Sequence, residues 1–256
     1  MDVSGKTVVV TGAARGIGLA LVNELRARGA AHVAATDILE SVHDTPADSR
    51  HVCDVTDAAQ VEALAVEVED KHGPISLFCS NAGVLNGLDL SFENAGGASA
   101  EDWALSWNVN VMAHVNAANA MVPRYKAQGG GYFLNTASAA GLLTLIGSAP
   151  YSVTKHAALG FAENLAITHR DDGIRVSALC PQAVNTAMIG DDPNNPAAMD
   201  GIISAEDVAK AAIDGVEAER FLILPHPNVD EYFRAKAANY ERWIGGMAKM
   251  QRQFKV

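Results

Sequence analysis

A doubly wound α/β fold, with one parallel sheet of about seven strands and helices on both faces, is expected here from three observations. The strand-like segments are short continuous apolar runs, which mark strands buried on both faces rather than half-exposed ones. They recur at spacings that leave one helical period between most neighbours, as successive βαβ units require. The chain of 256 residues is 49% hydrophobic and 19% charged, enough apolar material for one core and too little charge for a disordered state. No linker-like composition shift or internal repeat interrupts it. Residues 1–256 are therefore read as a single domain, with 187–256 forming a variable loop and a helical tail within it.

The elements follow in order. Residues 7–11 (TVVVT) form the first strand, and Ile17, Leu21 and Leu25 then recur every four residues along the first helix. Residues 32–36 and 50–53 are the second and third strands. The segment between Asp37 and Asp54 is short and contains Pro46, so no full helix is expected to join them. Thr56-Asp57 opens a helix carrying Val61, Leu64 and Val68, and Gly73-Pro74 closes it before a fourth strand at 75–80. Two longer helices, about 100–127 and 151–170, flank a strand at 132–136. A strand at 174–180, a helix at 205–217 and a short strand at 221–224 complete the sheet.

Composition narrows the partners. With 19 Lys+Arg against 30 Asp+Glu the formal net charge is −11, and no basic run offsets it, so neither nucleic acid nor an anionic membrane surface is expected as a partner. No stretch approaches the ~18–20 apolar residues that span a bilayer. The start, MDVSGK, has no charged-then-apolar signal segment. Cys53, Cys79 and Cys180 form no CxxC pair and each follows an apolar run, which suits reduced interior thiols and a cytoplasmic location. The eight histidines form no HxH, HExxH or His–Cys cluster, so no catalytic metal is expected.

The turn after the first strand reads Thr11-Gly12-Ala13-Ala14-Arg15-Gly16-Ile17-Gly18. Glycines there permit a tight turn, close backbone approach to a pyrophosphate and close helix–strand packing, as in Rossmann-type dinucleotide sites. The free N–H groups of the following helix N-terminus favour the phosphates. Asp37, 19 residues past Gly18 at the end of the second strand, can accept both hydroxyls of an adenosine ribose and repel a 2′-phosphate, which favours NAD. Arg15, inside the turn, is the one residue that could instead meet a 2′-phosphate.

The glycine turn together with Tyr151-Ser152-Val153-Thr154-Lys155 resembles the short-chain dehydrogenase/reductase family. The resemblance runs from about residue 6 to 186 with its motifs in order. Asn81-Ala82-Gly83 is similar to the family's NAG element, and Asp54-Val55 to its adenine-contacting pair. Asn110 falls at the catalytic asparagine, with neighbouring Asn108 the alternative if the register slips by two; Ser138, 13 residues before Tyr151, falls at the catalytic serine, and Pro181 to Thr186 at the PGxxxT element. Four departures stand out: Gln182 replaces the glycine after Pro181, Ser80 stands where many members carry a second asparagine, the connection from Asp37 to Asp54 is shortened, and the family's glycine-rich ending is missing beyond Leu224. The resemblance implies cofactor contacts from Gly12, Arg15, Gly16, Ile17, Gly18, Asp37, Asp54, Val55, Asn81, Ala82, Gly83, Tyr151, Lys155, Pro181, Val184 and Thr186. It implies Asn110, Ser138, Tyr151 and Lys155 as the catalytic set, and a homodimer or homotetramer formed through the two long helices.

The chemistry of these residue types agrees. Moving a hydride between an alcohol carbon and a nicotinamide requires a group that takes or returns the hydroxyl proton. Tyr151 is the natural candidate for that group. A free phenol titrates near 10, so nearby positive charge is needed, and Lys155 lies one helical turn on, on the same face. Ser138 can hydrogen-bond the substrate oxygen. Leu142, Leu143, Leu145, Ile146 and Met188 give the strand-end loops an apolar character, which favours an apolar secondary alcohol or its ketone. Residues 191–199 are read as a lid. In the tail, Asn228 is expected to cap one helix in which Val229, Tyr232, Phe233, Lys236, Ala237, Tyr240, Trp243, Ile244, Met247 and Met250 form a stripe. Such a stripe is read first as packing against the same or a neighbouring subunit; the sharper alternative is that Trp243 or Met247 reaches into a substrate pocket, its own or a partner subunit's. The expected activity is an NAD-dependent alcohol dehydrogenase or ketoreductase. An NADP-linked carbonyl reductase stays open, and so does a dinucleotide-binding regulator without turnover, against which the Ser138, Tyr151 and Lys155 set argues.

Overall fold

A computed structural model describes residues 1–188 and 200–254 of the chain. Among them, seven strands form one wholly parallel sheet in the order β3-β2-β1-β4-β5-β6-β7. They are β1 (Thr7–Thr11), β2 (His32–Asp37), β3 (Ser49–Val52), β4 (Ile75–Ser80), β5 (Gly131–Thr136), β6 (Ile174–Leu179) and β7 (Leu222–Ile223). The strand order reverses between β1 and β4. Chains leaving these two strands diverge to opposite faces, and the crevice between them is where doubly wound sheets bind ligands.

Side-chain alternation in β1 shows why its three central residues, Val8, Val9 and Val10, are all apolar. Val9 joins the core on one face, under α2 (Ala58–His72), α4 (Ala113–Ala127) and α5 (Ala149–Thr168). Val8 and Val10 join the other, under α1 (Gly16–Ala27) and α6 (Ala205–Glu217). A strand covered on both sides has no polar face to show. The predicted periods are used as expected: Leu21 and Leu25 of α1, and Val61, Leu64 and Val68 of α2, are buried. Asp57 caps α2 by accepting from the backbone N–H of Ala59 and Gln60. Only a short 3-10 turn, Glu40–Asp44, lies between β2 and β3.

Several boundaries differ from the sequence reading. The third strand begins and ends one residue early, because Ser49 pairs with Ala34 and Val52 with Asp37. The helix carrying Tyr151, α5, starts at Ala149, two residues before that tyrosine, since the Ser148 hydroxyl accepts the Tyr151 N–H and Pro150 suits the first turn. The helix expected over 100–127 is α3 (Ala100–Trp107) and α4 joined by a π-helical segment, Asn108–Met112.

The tail is corrected most. It is two helices, α7 (Asn228–Ala238) and α8 (Tyr240–Phe254). Asn228 does not cap: it is the first helical residue after Pro227, and no side-chain cap bond forms there. The capping asparagine is Asn239, whose extended backbone breaks the helix and whose Oδ1 accepts the Arg242 N–H at 2.8 Å. Tyr240 and Ile244 are exposed rather than part of the inward stripe. No helix among the described residues is long and apolar enough to cross a membrane. Residues 191–199, read as a lid, lie outside the described residues.

Candidate active site

The strand ends at the switch point are bound together before any ligand is considered. The Thr11 hydroxyl accepts the N–H groups of Asn81 and Ala82 at 2.9 and 3.1 Å, and Asn81 Nδ2 donates to the Thr11 carbonyl at 3.0 Å. Thr136 Oγ1 donates to Asn81 Oδ1 at 3.0 Å, adding the end of β5. Asn81 thus fastens three strands at the floor of the crevice, and Ala82 and Gly83 line its edge.

The glycine turn is required by space as well as by φ. Gly12 has φ +64°, and a Cβ there would come 2.8 Å from Ala82 Cα. A Cβ on Gly18 would collide with the Gly12 carbonyl. Gly16, at φ +57°, would place one 3.1 Å from the Thr186 methyl, so the turn and the segment after β6 face each other across a narrow gap. Arg15 is the residue before α1, exposed, with no side-chain cap bond, which leaves the N–H groups at Gly16, Ile17 and Gly18 available to an anion. Asp37 is buried at the end of β2 and accepts from Ala14 N at 3.0 Å and Leu39 N at 3.0 Å. Its remaining lone pairs can take a ribose diol. Asp54 folds back on Thr56, and Val55 is buried beside it. These residues fit a dinucleotide: a backbone cradle that a Cβ would fill, a helix N-terminus for the phosphates and a carboxylate for the ribose.

The π-helical segment explains which asparagine turns inward. A π turn carries one extra residue, and the rotation it introduces buries Asn110 fully while Asn108 is exposed. Asn110 Oδ1 accepts from Val84 N at 2.9 Å, and Nδ2 donates to Val84 O at 3.0 Å and Thr154 Oγ1 at 3.1 Å. A Cβ on Gly83 would meet Lys155 Nζ at 3.2 Å and Asn110 Oδ1 at 3.3 Å, so these groups surround that glycine.

Lys155 is 3% exposed and donates to the Thr136 carbonyl at 3.1 Å. Burial pushes its pKa down to about 8. Its Nζ lies 5.7 Å from the centre of the Tyr151 ring. Burial raises the Tyr151 phenol above its ordinary value and the nearby Ser138 hydroxyl pulls it the other way. Ser138 ends in a 3-10 turn, Ala139–Gly141, and its Oγ accepts from Ala140 N at 3.1 Å.

Ser138 and Tyr151 open into a cavity of about 770 Å³ whose walls are chiefly apolar. Leu143, Leu145, Ile146 and Met188 line it as the sequence suggested, joined by Leu85, Leu88 and Leu90. Leu142 does not; it is buried in the core. Trp243, Met247 and Met250 of α8 form the outer wall, in the same subunit.

Two residues escaped the sequence reading. His226, in the Pro-His-Pro connector, accepts the Gln182 N–H on Nδ1 at 3.1 Å and donates from Nε2 to the Ala183 carbonyl at 3.0 Å. This neutral ring braces the turn after Pro181, where Gln182 stands for the usual glycine without adopting a positive φ. His114, one turn past Asn110, is buried with Nδ1 2.8 Å from the Ser80 hydroxyl, and burial together with the Lys155 charge pushes it down to about 3. No group of three or more potential metal ligands is assembled among the described residues.

The family model for short chain dehydrogenases matches residues 6–196 of this chain. The chain belongs to that family. It is an oxidoreductase of the nicotinamide-dependent kind. A 1-deoxy-11-beta-hydroxypentalenate dehydrogenase of Streptomyces exfoliatus is 35% identical over 233 residues, 87% of this chain and 84% of that protein. A (+)-borneol dehydrogenase 1 of Salvia officinalis is 32% identical over 227 residues, 82% of this short-chain dehydrogenase and 85% of its own length. The crystal structure of a short chain dehydrogenase/reductase from Burkholderia phymatum in complex with NAD matches with a TM-score of 0.83 at 29% identity, covering 94% of this chain and 96% of that one.

Proposed function

We propose that this short-chain dehydrogenase interconverts an apolar, ring-bearing secondary alcohol and its ketone with NAD(H). The observation that carries the reading is the apolar cavity of about 770 Å³ opening directly onto Ser138 and Tyr151. The relatives named for a hydroxypentalenate and for borneol support it, since both names denote carbocyclic alcohols.

In the oxidative direction the Ser138 hydroxyl hydrogen-bonds the substrate oxygen and Tyr151, as phenolate, takes the hydroxyl proton. In reduction Tyr151 returns it. Lys155 holds positive charge beneath the site, and Asn110 fixes the loop carrying Val84 against α5 through Thr154. A bound nicotinamide dinucleotide supplies the hydride acceptor or donor. Gly12, Gly16, Ile17, Gly18, Asp37, Asp54, Val55, Asn81, Ala82, Gly83, Pro181, Val184 and Thr186 are the residues that would hold it, with Tyr151 and Lys155 on its ribose side. Asp37, buried beside Ala14, supports NAD. Exposed Arg15 favours the second reading, NADP. The exposed Leu105, Trp107, Val153 and Ile167 on α3 and α5 support self-association through those helices.

The test is a panel of alicyclic, aryl and small acyclic secondary alcohols offered with NAD and with NADP, following the absorbance of reduced nicotinamide. Turnover of the alicyclic members with NAD is expected. A strong NADP preference overturns the cofactor assignment, and no turnover of any member with either dinucleotide overturns the reading as a whole.

A further inference from the structure

Lys236 lies on α7, far in sequence from the catalytic residues, and is buried to 8% exposure. Its ammonium donates to the carbonyls of Leu142 at 2.7 Å and Leu143 at 2.9 Å, the two residues that follow the 3-10 turn after Ser138. No backbone N–H among the described residues reaches either carbonyl. The third contact is His156 Nε2 at 3.4 Å. His156 Nδ1 is 2.8 Å from the Ser152 carbonyl, which can only accept, so the ring proton sits on Nδ1 and Nε2 is the acceptor. Three donors meet three acceptors. No carboxylate forms an ion pair with Lys236 among the described residues, and burial lowers its pKa.

This lysine therefore joins the tail, the loop after the catalytic serine and the helix turn that carries Lys155. Its neighbours Ala235, Ala238 and Asn239 line the cavity, and Leu143 lines it from the body. The Tyr232 hydroxyl, one turn earlier on α7, donates to Asp200 at 3.0 Å in an exposed position. C-terminal to Lys236, no side-chain hydrogen bond among the described residues connects the tail to the body, and the one accepted by Asn239 stays within the tail. Helix α8 has no buried residue of its own. Its place as the outer wall depends on how α7 is seated. A polar tie at the last turn of α7 is the outermost fixed point.

We propose that Lys236 is a specificity-determining positioning residue, which fastens the tail over the loop after Ser138 and thereby keeps α8 in place as the wall of the substrate cavity. The proposal rests on reading that cavity as the alcohol site. It assigns Lys236 no part in proton or hydride transfer.

The test uses the full-length chain with Lys236→Met, which keeps the apolar stem and removes all three donors, and Lys236→Gln, which keeps an amide donor and serves if the first fails to fold. Amide hydrogen exchange over residues 240–254 is expected to quicken about tenfold or more, because two buried carbonyls lose their partner. With borneol as the bulky probe, KM should rise about tenfold while kcat/KM for 2-butanol and NAD affinity stay within about twofold. Unchanged exchange in 240–254 overturns the proposal. So does an equal loss of kcat on both alcohols, which would place Lys236 in the chemistry or in general stability. If the parent enzyme oxidises neither alcohol, the substrate reading fails, and the exchange measurement alone decides whether Lys236 clamps the tail.

Discussion

Between β1 and Gly83 the backbone itself is the close-fitting part of the molecule, whereas in α8 no residue is buried and side-chain contacts alone hold the helix against the cavity. In the first region Gly12 and Gly18 sit where a single methyl group would strike neighbouring main chain. Thr11, Asn81 and Thr136 link three strand ends by hydrogen bonds near 3 Å. In the second, Trp243, Met247 and Met250 meet the cavity as partly exposed side chains, and the nearest aromatic partner of Trp243 is Tyr232, at 6.5 Å between ring centres. A ligand of fixed shape suits the first construction. A wall that differs from one enzyme to the next suits the second, because apolar side chains can be exchanged without disturbing main-chain hydrogen bonds.

The largest effect should come from the residue where the two regions meet. Tyr151→Phe is expected to lower kcat by about 10²–10⁴-fold, the usual share of a positioned acid or base, while dinucleotide affinity by fluorescence titration is unchanged. Substantial residual turnover would move proton transfer elsewhere and break the division between the regions. Gly18→Ala attacks the cofactor region alone. Its methyl must displace the Gly12 carbonyl, so dinucleotide affinity should fall by about 10- to 100-fold, the equivalent of roughly 1–3 kcal/mol of overpacking. Trp243→Ala attacks the tail alone: KM for a bulky cyclic alcohol should rise about tenfold or more, with kcat/KM for a small one and dinucleotide affinity nearly unchanged. If Trp243→Ala weakened the dinucleotide as much as the alcohol, the two regions would not be separable.

The smallest effect is on stability. Lys155 has its pKa lowered from 10.5 to about 8 on folding, so between those values the unfolded chain binds more protons and stability rises with pH. Below about 8 the buried ammonium carries a constant cost on the order of 3 kcal/mol. Lys155→Met should therefore abolish turnover yet raise the melting temperature at pH 7 by a few degrees, a gain reduced by the Thr136 carbonyl it leaves without its donor. In the same variant the gain should shrink as the pH is raised from 8 toward 10.5. A lower melting temperature throughout would mean that the lysine is a structural tie and not a cost borne for function.

Much of this was legible in the chain because it is written in local chemistry. Three consecutive β-branched valines at 8–10, bounded by Gly12 and without polar alternation, mark a short strand covered on both faces. The spacing of Gly12, Gly16 and Gly18 marks a turn that leads into a helix, and Tyr151 and Lys155 share a helical face wherever that helix packs. The boundary errors arose where pairing or capping decides, as at Ser49 and Ser148, since a strand ends where its neighbour stops offering partners.

The tail shows the limit. Lys236 on an amphipathic helix reads as a solvated charge or a stray member of the stripe, and nothing within several residues reveals the two carbonyls that bury it. His226 in a Pro-His-Pro segment carries no sign of Gln182, 44 positions earlier. By itself, then, the sequence determined the doubly wound sheet, the glycine cradle and the order of the Ser138, Tyr151 and Lys155 set, because periodicity, glycine content and helical spacing act over a few residues. Only the tertiary structure decided that Asn110 turns inward through a π-helical segment, that Asn239 divides the tail, and that α8 walls the cavity of its own subunit. Those outcomes depend on which distant groups are left without hydrogen-bond partners once the core has closed.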